Sequence, residues 1–175
     1  MASYDIGKAE VADWIRNNFE PKTRILDVGA GDGKWSRLLS EYSEMDACEI
    51  FPPNAEYIKS AYRETFCCDI DDLKYQADKY DLIIFGDVIE HMDVEKAQRV
   101  LKYAEPRCRD MIIAVPWEYP QGELYGNRYE RHIQSDLTPE LFDERYPGYE
   151  PIFETDAYCY YHKRGLKNDQ GNQSV

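Results

Sequence analysis

Ile25-Leu26-Asp27-Val28-Gly29-Ala30-Gly31-Asp32-Gly33-Lys34-Trp35 is the stretch on which the reading of this chain turns. An apolar run rises to an acid, three alternating glycines follow, and a helix-like pattern begins at Lys34. Glycine reaches positive φ and has no Cβ, so the pattern suits a sharp strand-to-helix turn with a ligand against bare backbone. A dinucleotide fingerprint, G-x-G-x-x-G, would put its third glycine at position 34, where Lys34 stands. Asp27 is also a poor neighbour for a pyrophosphate and a good one for a cationic amino-acid head group. The turn therefore points away from NAD.

The pattern outside this stretch alternates between strands and helices. Residues 5–19 repeat apolar side chains at helical spacing (Val11, Trp14, Ile15, Phe19), and Glu20-Pro21 ends that helix. Strands are expected at 24–28, 45–50, 65–68, 80–85 and 111–115, with helices at 34–42, 53–63 and 93–104 and a polar helix or turn over 71–79. Leu82-Ile83-Ile84-Phe85 is continuous and apolar, as in a strand covered on both faces. Asp93 is the expected N-cap of its helix. Thr138-Pro139-Glu140-Leu141 reads as an N-cap, a proline at N1 and a helix reaching Tyr146. Two last strands, 149–155 and 157–163, flank a turn at Asp156. This order predicts a doubly wound, mostly parallel seven-stranded α/β sheet with an antiparallel C-terminal hairpin. Residues 1–164 are expected to form one domain, with helix 1–20 over the cofactor and acceptor side, and 165–175 a disordered polar tail.

Bulk properties narrow the partners. Acids outnumber bases 34 to 21, for a net charge of −13, so phosphate backbones and anionic membranes are disfavoured and nucleic acid is not an expected partner. No apolar run is long enough to span a bilayer and the N-terminus shows no leader pattern, which predicts a cytoplasmic protein. The five cysteines lack metal spacing and read as reduced and buried.

Ligands of such sheets bind beyond the carboxyl ends of the strands. At those ends stand Asp27 to Gly33, Glu49, Asp69, Asp87 and Pro116. Glu49 can accept from both hydroxyls of an unphosphorylated ribose, and Asp69 from the exocyclic amine of a base. Ammonium, ribose diol and adenine amine together describe S-adenosylmethionine.

Ile25 to Gly33 (ILDVGAGDG), Glu49, Asp69 and Tyr80 to Met92 (YDLIIFGDVIEHM) resemble the nucleotide-binding motifs of class I S-adenosylmethionine-dependent methyltransferases, most closely those acting on small molecules. The resemblance runs from about Arg24 to Lys163 and includes the last hairpin. It implies Gly29 and Gly31 against the methionine part, Glu49 on the ribose, and Asp69 with Ile70 around the adenine. The cofactor-binding set expected is Asp27, Gly29, Ala30, Gly31, Glu49, Ile50, Asp69, Ile70 and Asp87, with S-adenosylhomocysteine as product.

The acceptor is less legible. The N/D-P-P-Y/F run of adenine-type enzymes is absent, Gly86-Asp87-Val88-Ile89 standing in its place, and so is the Pro-Cys pair of cytosine C5 enzymes. Both absences favour an oxygen, or a simple nitrogen, on a small molecule; a hydroxyl, on a sugar or phenol-like ring, is the expected acceptor. The catalytic candidates are His132, His91 and Asp87, with His162 read as structural. His132 lies in the long polar segment 116–135, where Trp117, Tyr119, Tyr125 and Tyr129 could stack on a ring. Asp87, Glu90, His91, Glu130 and His132 could supply metal ligands, but no spacing fixes a set and no metal is assigned. The acceptor pocket is expected from the N-terminal helix, the 116–135 loop and, in a homodimer, a second subunit. The competing readings are a methyltransferase for protein or RNA and a cofactor-binding regulatory or scaffold module without turnover.

Overall fold

The computed structural model describes residues 5–73 and 80–165. Its strands are β1 (Ile25–Val28), β2 (Met45–Glu49), β3 (Glu64–Cys67), β4 (Leu82–Gly86), β5 (Asp110–Pro116), β6 (Glu150–Thr155) and β7 (Tyr158–Arg164). They form one sheet in the order β3-β2-β1-β4-β5-β7-β6. β1 to β5 run parallel, and β7 lies antiparallel between β5 and β6. The expected sheet and its C-terminal hairpin are both present. The chain reverses its winding direction between β1 and β4, so a crevice opens beyond the carboxyl ends of these two neighbours.

Among the described residues the α-helices are α1 (Lys8–Asn18), α2 (Lys34–Leu38), α3 (Pro52–Ile58), α4 (Val94–Ala104) and α5 (Pro139–Arg145). They lie on both faces of the sheet, which is why its central strands are apolar without alternation. Ile25, Leu82 and Ile84 pack with Val11, Ile15, Leu39 and Ile58 of the α1–α3 side. Leu26, Ile83 and Phe85 pack with Val100 and Leu101 of α4 and Phe142 of α5. Asp93 accepts from the Lys96 amide and Thr138 from the Leu141 amide, as their sequence contexts predict.

Several boundaries differ from expectation. α1 starts at Lys8 because Gly7, at φ 73°, takes the left-handed conformation. α2 stops at Leu38 and not Tyr42: Leu39 leaves helical geometry, and the Tyr42 hydroxyl donates to the Phe19 carbonyl at 3.0 Å. α3 stops at Ile58, where the Ala61 amide closes a turn on the Ile58 carbonyl. Of the segment 71–79 only a 3-10 turn, Ile70–Leu73, lies within the described residues, and of the 165–175 tail only Gly165 does. Cys67, in the edge strand β3, is exposed and Cys68, just after it, is half-buried, against the expectation of burial; none of the five cysteines is in a disulfide. Among the described residues no helix is long and apolar enough to cross a membrane.

Candidate active site

The glycine turn leaves β1 with Gly29, Gly31 and Gly33 all at positive φ, 67°, 58° and 77°. At Gly29 a side chain is excluded twice: by the backbone conformation, and because a Cβ would lie 2.4 Å from Val88 Cγ2. The turn is tied to the end of β2. The Gly29 amide donates to the Cys48 carbonyl at 2.8 Å, and the Gly31 amide donates to Glu49 Oε2 at 2.8 Å. Glu49 Oε1 accepts from the Phe51 amide at 2.8 Å. The carboxylate of Glu49 is thus fixed by backbone donors on both oxygens. Burial raises its pKa, while the two amides pull the other way.

A cleft lies over these strand ends, with about 1140 Å³ of space counted to its open mouth. Gly29, Ala30 and Gly31 form its floor, and Ile50, Ile70 and Met92 are apolar walls. Asp69 lines the far end, where Oδ2 pairs with Lys96 Nζ at 2.5 Å and Oδ1 accepts from the Asp71 amide at 3.1 Å. The lining carries Asp32, Glu49, Asp69, Asp87, Glu90 and Glu130 against Lys8, Lys34 and Lys96. An excess of carboxylates favours a cationic ligand over a polyphosphate.

Every expected cofactor-binding residue lines this cleft except Asp27. Asp27 still belongs to the β1 ladder, so its side chain points to the α1–α3 face. There Oδ2 accepts from the Tyr62 hydroxyl at 2.5 Å, and Oδ1 is buried without a partner. Desolvation raises its pKa to about 7. Asp87 does reach the cleft, from a left-handed backbone at φ 59°. Its Oδ2 pairs with Lys8 Nζ at 3.1 Å and its Oδ1 accepts from the Tyr158 hydroxyl. Lys8, 3% exposed, is a site residue that the sequence reading missed. The signal was present: Lys8 shares the face of Val11, Ala12 and Ile15 at i+3, i+4 and i+7, so a lysine there had to be buried.

The segment after β5 curls back over the mouth of the cleft and contributes Asn127, Tyr129, Glu130 and His132 to its wall. Of the four expected stacking aromatics only Tyr129 lines the cleft. Trp117 is buried in the α4–α5 layer beside Phe142 and Tyr161, Tyr125 is exposed, and the Tyr119 ring packs against the outer side of His132. Asn127 orders the segment by accepting from the Tyr129 amide at 3.0 Å and donating to Glu130 Oε1 at 3.2 Å. Gln134 fastens its end: Nε2 donates to the Ile89 carbonyl at 2.8 Å, and the Ile133 and Gln134 amides donate to the Glu90 carbonyl.

This clamp brings His91 and His132 together, with ring centroids 4.7 Å apart. His132 Nδ1 lies 2.7 Å from the Tyr119 carbonyl and His91 Nδ1 3.1 Å from the Arg131 carbonyl. A carbonyl only accepts, so each Nδ1 carries the hydrogen and each Nε2 keeps its lone pair. Burial lowers both imidazole pKa values and keeps the rings neutral. Glu90 lies beside them, 1% exposed, with neither carboxylate oxygen hydrogen-bonded. Burial, and then the Asp87 charge, push its pKa well up. His162 stands apart in β7, paired with Asp110 at 2.8 Å and tilted against Trp14 with ring centroids 5.0 Å apart.

Residues 5–134 match the family model described as a methyltransferase domain. Solved structures share the fold. The N-terminal domain of EvdMO1, crystallised in the presence of SAH and D-fucose, aligns at 14% identity over 93% of this chain and 84% of that one, with a TM-score of 0.65. The 1,6-didemethyltoxoflavin-N1-methyltransferase of Burkholderia thailandensis, with its substrate and S-adenosylhomocysteine bound, aligns at 18% over 91% and 79%, with a TM-score of 0.66. Monomeric WbdD aligns at 17% identity over 93% of this chain but only 42% of its own, with a TM-score of 0.66. No curated protein sequence matches the chain.

Proposed function

Since the chain belongs to the methyltransferase-domain family, we propose that it uses S-adenosylmethionine to methylate a hydroxyl oxygen on a small molecule, a sugar or a phenol-like ring. The observation that carries the cofactor half is the Glu49 carboxylate, held by the Gly31 and Phe51 amides on the wall beside the bare glycine floor. Each of its oxygens keeps a lone pair for a ribose hydroxyl. The donor set fits the cofactor. Glu49 takes the ribose, Asp69 and Ile70 with Ile50 flank the adenine, and Gly29 to Gly31 admit the methionine part against backbone. The carboxylate excess suits its two positive charges. Asp27 stands behind the turn, hydrogen-bonded to Tyr62. When bound, the cofactor supplies a sulfonium methyl, so an O–CH₃ bond forms as the S–CH₃ bond breaks and its electron pair stays on sulfur.

The chain's own work is placement, water exclusion and proton handling. The Lys8–Asp87–Tyr158 cluster fixes the floor where β4 ends, and neutral His91 and His132 face the acceptor and govern loss of its hydroxyl proton. The Asn127–His132 segment closes over both. The reading of a small-molecule acceptor is supported by the toxoflavin enzyme, whose structure holds 1,6-didemethyltoxoflavin beside S-adenosylhomocysteine. The test is transfer from labelled S-adenosylmethionine to matched sets of sugar and phenol hydroxyls and of amines. Label on hydroxyls supports the reading; label on amines alone contradicts it.

A further inference from the structure

We propose that Glu90, His91 and His132 hold a divalent metal ion at the acceptor end of the cleft. One ligating atom from each lies within 4.8 Å of the other two, close enough for all three to meet on one ion after small side-chain adjustments. The environment of Glu90 points to a missing partner. Its carboxyl is 1% exposed and both oxygens are without a hydrogen bond, although Lys8, the nearby cation, is committed to Asp87. A buried carboxyl left in that state is costly, and a cation is the partner that removes the cost.

The imidazoles are prepared in the same sense. With each Nδ1–H given to a main-chain carbonyl, ring orientation and tautomer are fixed and Nε2 is the ligating atom; metal-binding histidines are held in this way. The three ligands come from two segments, the turn after β4 and the loop after β5. The Gln134 clamp fastens these segments to each other, so the site is built by the fold and not by one flexible loop. A two-nitrogen, one-oxygen set suits Mn²⁺, Fe²⁺ or Zn²⁺ better than Ca²⁺. Three protein ligands leave coordination positions open, and all three residues line the cleft.

This deepens the methyl-transfer reading and rests on it for its purpose. An open position can take the acceptor hydroxyl. The ion makes the bound hydroxyl more acidic, and its proton passes to water.

The experiment uses the whole chain, freed of metal with a chelator and titrated with MnCl₂, with free Mn²⁺ read by electron paramagnetic resonance. One Mn²⁺ per chain is expected. Glu90→Gln and His132→Ala should each weaken it at least tenfold, and the remote Glu56→Gln should leave it unchanged. The wild-type chain supplies a test that needs no variant, because it has only three histidines. Substoichiometric Mn²⁺ should broaden the ring resonances of His91 and His132 and spare His162. No bound Mn²⁺, equal broadening of all three rings, or unchanged affinity in both site variants overturns the proposal. S-adenosylhomocysteine titrated into the same samples separates the two readings. A chain that binds it without Mn²⁺ loses the metal site alone; one that binds Mn²⁺ without it keeps the site and loses the methyl-transfer reading.

Discussion

The two ends of the cleft are built from different materials. At the cofactor end the surface is main chain: three glycines at positive φ, and a carboxylate immobilised by two amides. At the acceptor end it is side chain: two imidazoles held by main-chain carbonyls and a buried carboxyl without a hydrogen bond, brought together by contacts between segments about 40 residues apart in sequence. The first arrangement is rigid and tolerates little change. The second can be rebuilt by altering a loop. A shared donor and a variable receiver ask for this division of labour.

The contrast can be broken by substitution. The largest effect is expected from His132→Ala. Turnover should fall by about 10⁴-fold, while affinity for S-adenosylhomocysteine stays as it was; a matched fall in both would erase the separation of the two ends.

Asp27 gives the next largest effect, on stability. Its folded pKa, about 7, lies above the ordinary carboxyl value, so it stabilises the folded chain at low pH and that contribution is lost as pH rises towards 7. Three units correspond to about 4 kcal/mol. Asp27→Asn should therefore gain on the wild type by a few kcal/mol between about pH 4 and pH 8, read as the difference between two denaturation series. A constant difference across that range would show that Asp27 is charged when folded.

At the glycine floor, Gly29→Ala should cost about 1–3 kcal/mol from its φ alone, with the Val88 contact adding to it. Thermal melts of Gly29→Ala with and without Val88→Ala separate the two contributions. The smallest effect is expected from Glu49→Ala, which should weaken S-adenosylhomocysteine binding by about 1–3 kcal/mol; calorimetry of the variant with and without a 2′-deoxyribose analogue would show whether the loss belongs to the ribose.

What could be read in advance follows the same division. Gly29, Gly31, Glu49 and Asp69 were legible because backbone conformation and strand ends leave local marks in a sequence. The sheet was legible because continuous apolar strands alternate with capped helices. Asp27 misled because its type suggested an ammonium partner, although strand alternation puts it on the opposite face from Leu26 and Val28 and turns it towards Tyr62. Lys8 was hidden by its charge, and only its place on the apolar stripe of α1 betrays it. The pairing of His91 with His132 depends on Gln134 and on main-chain carbonyls of Tyr119 and Arg131, contacts between distant segments that no periodicity records. The stacking role expected of Trp117 failed for a related reason: it directly follows β5, so it continues into the core.

The glycine turn and Glu49 are expected to receive a cationic, phosphate-free nucleoside. Calorimetry of the unmodified chain with S-adenosylhomocysteine and, separately, with NAD tests it most directly. One S-adenosylhomocysteine site per chain and no heat from NAD is the predicted result; binding of NAD, or silence with S-adenosylhomocysteine, would contradict the account.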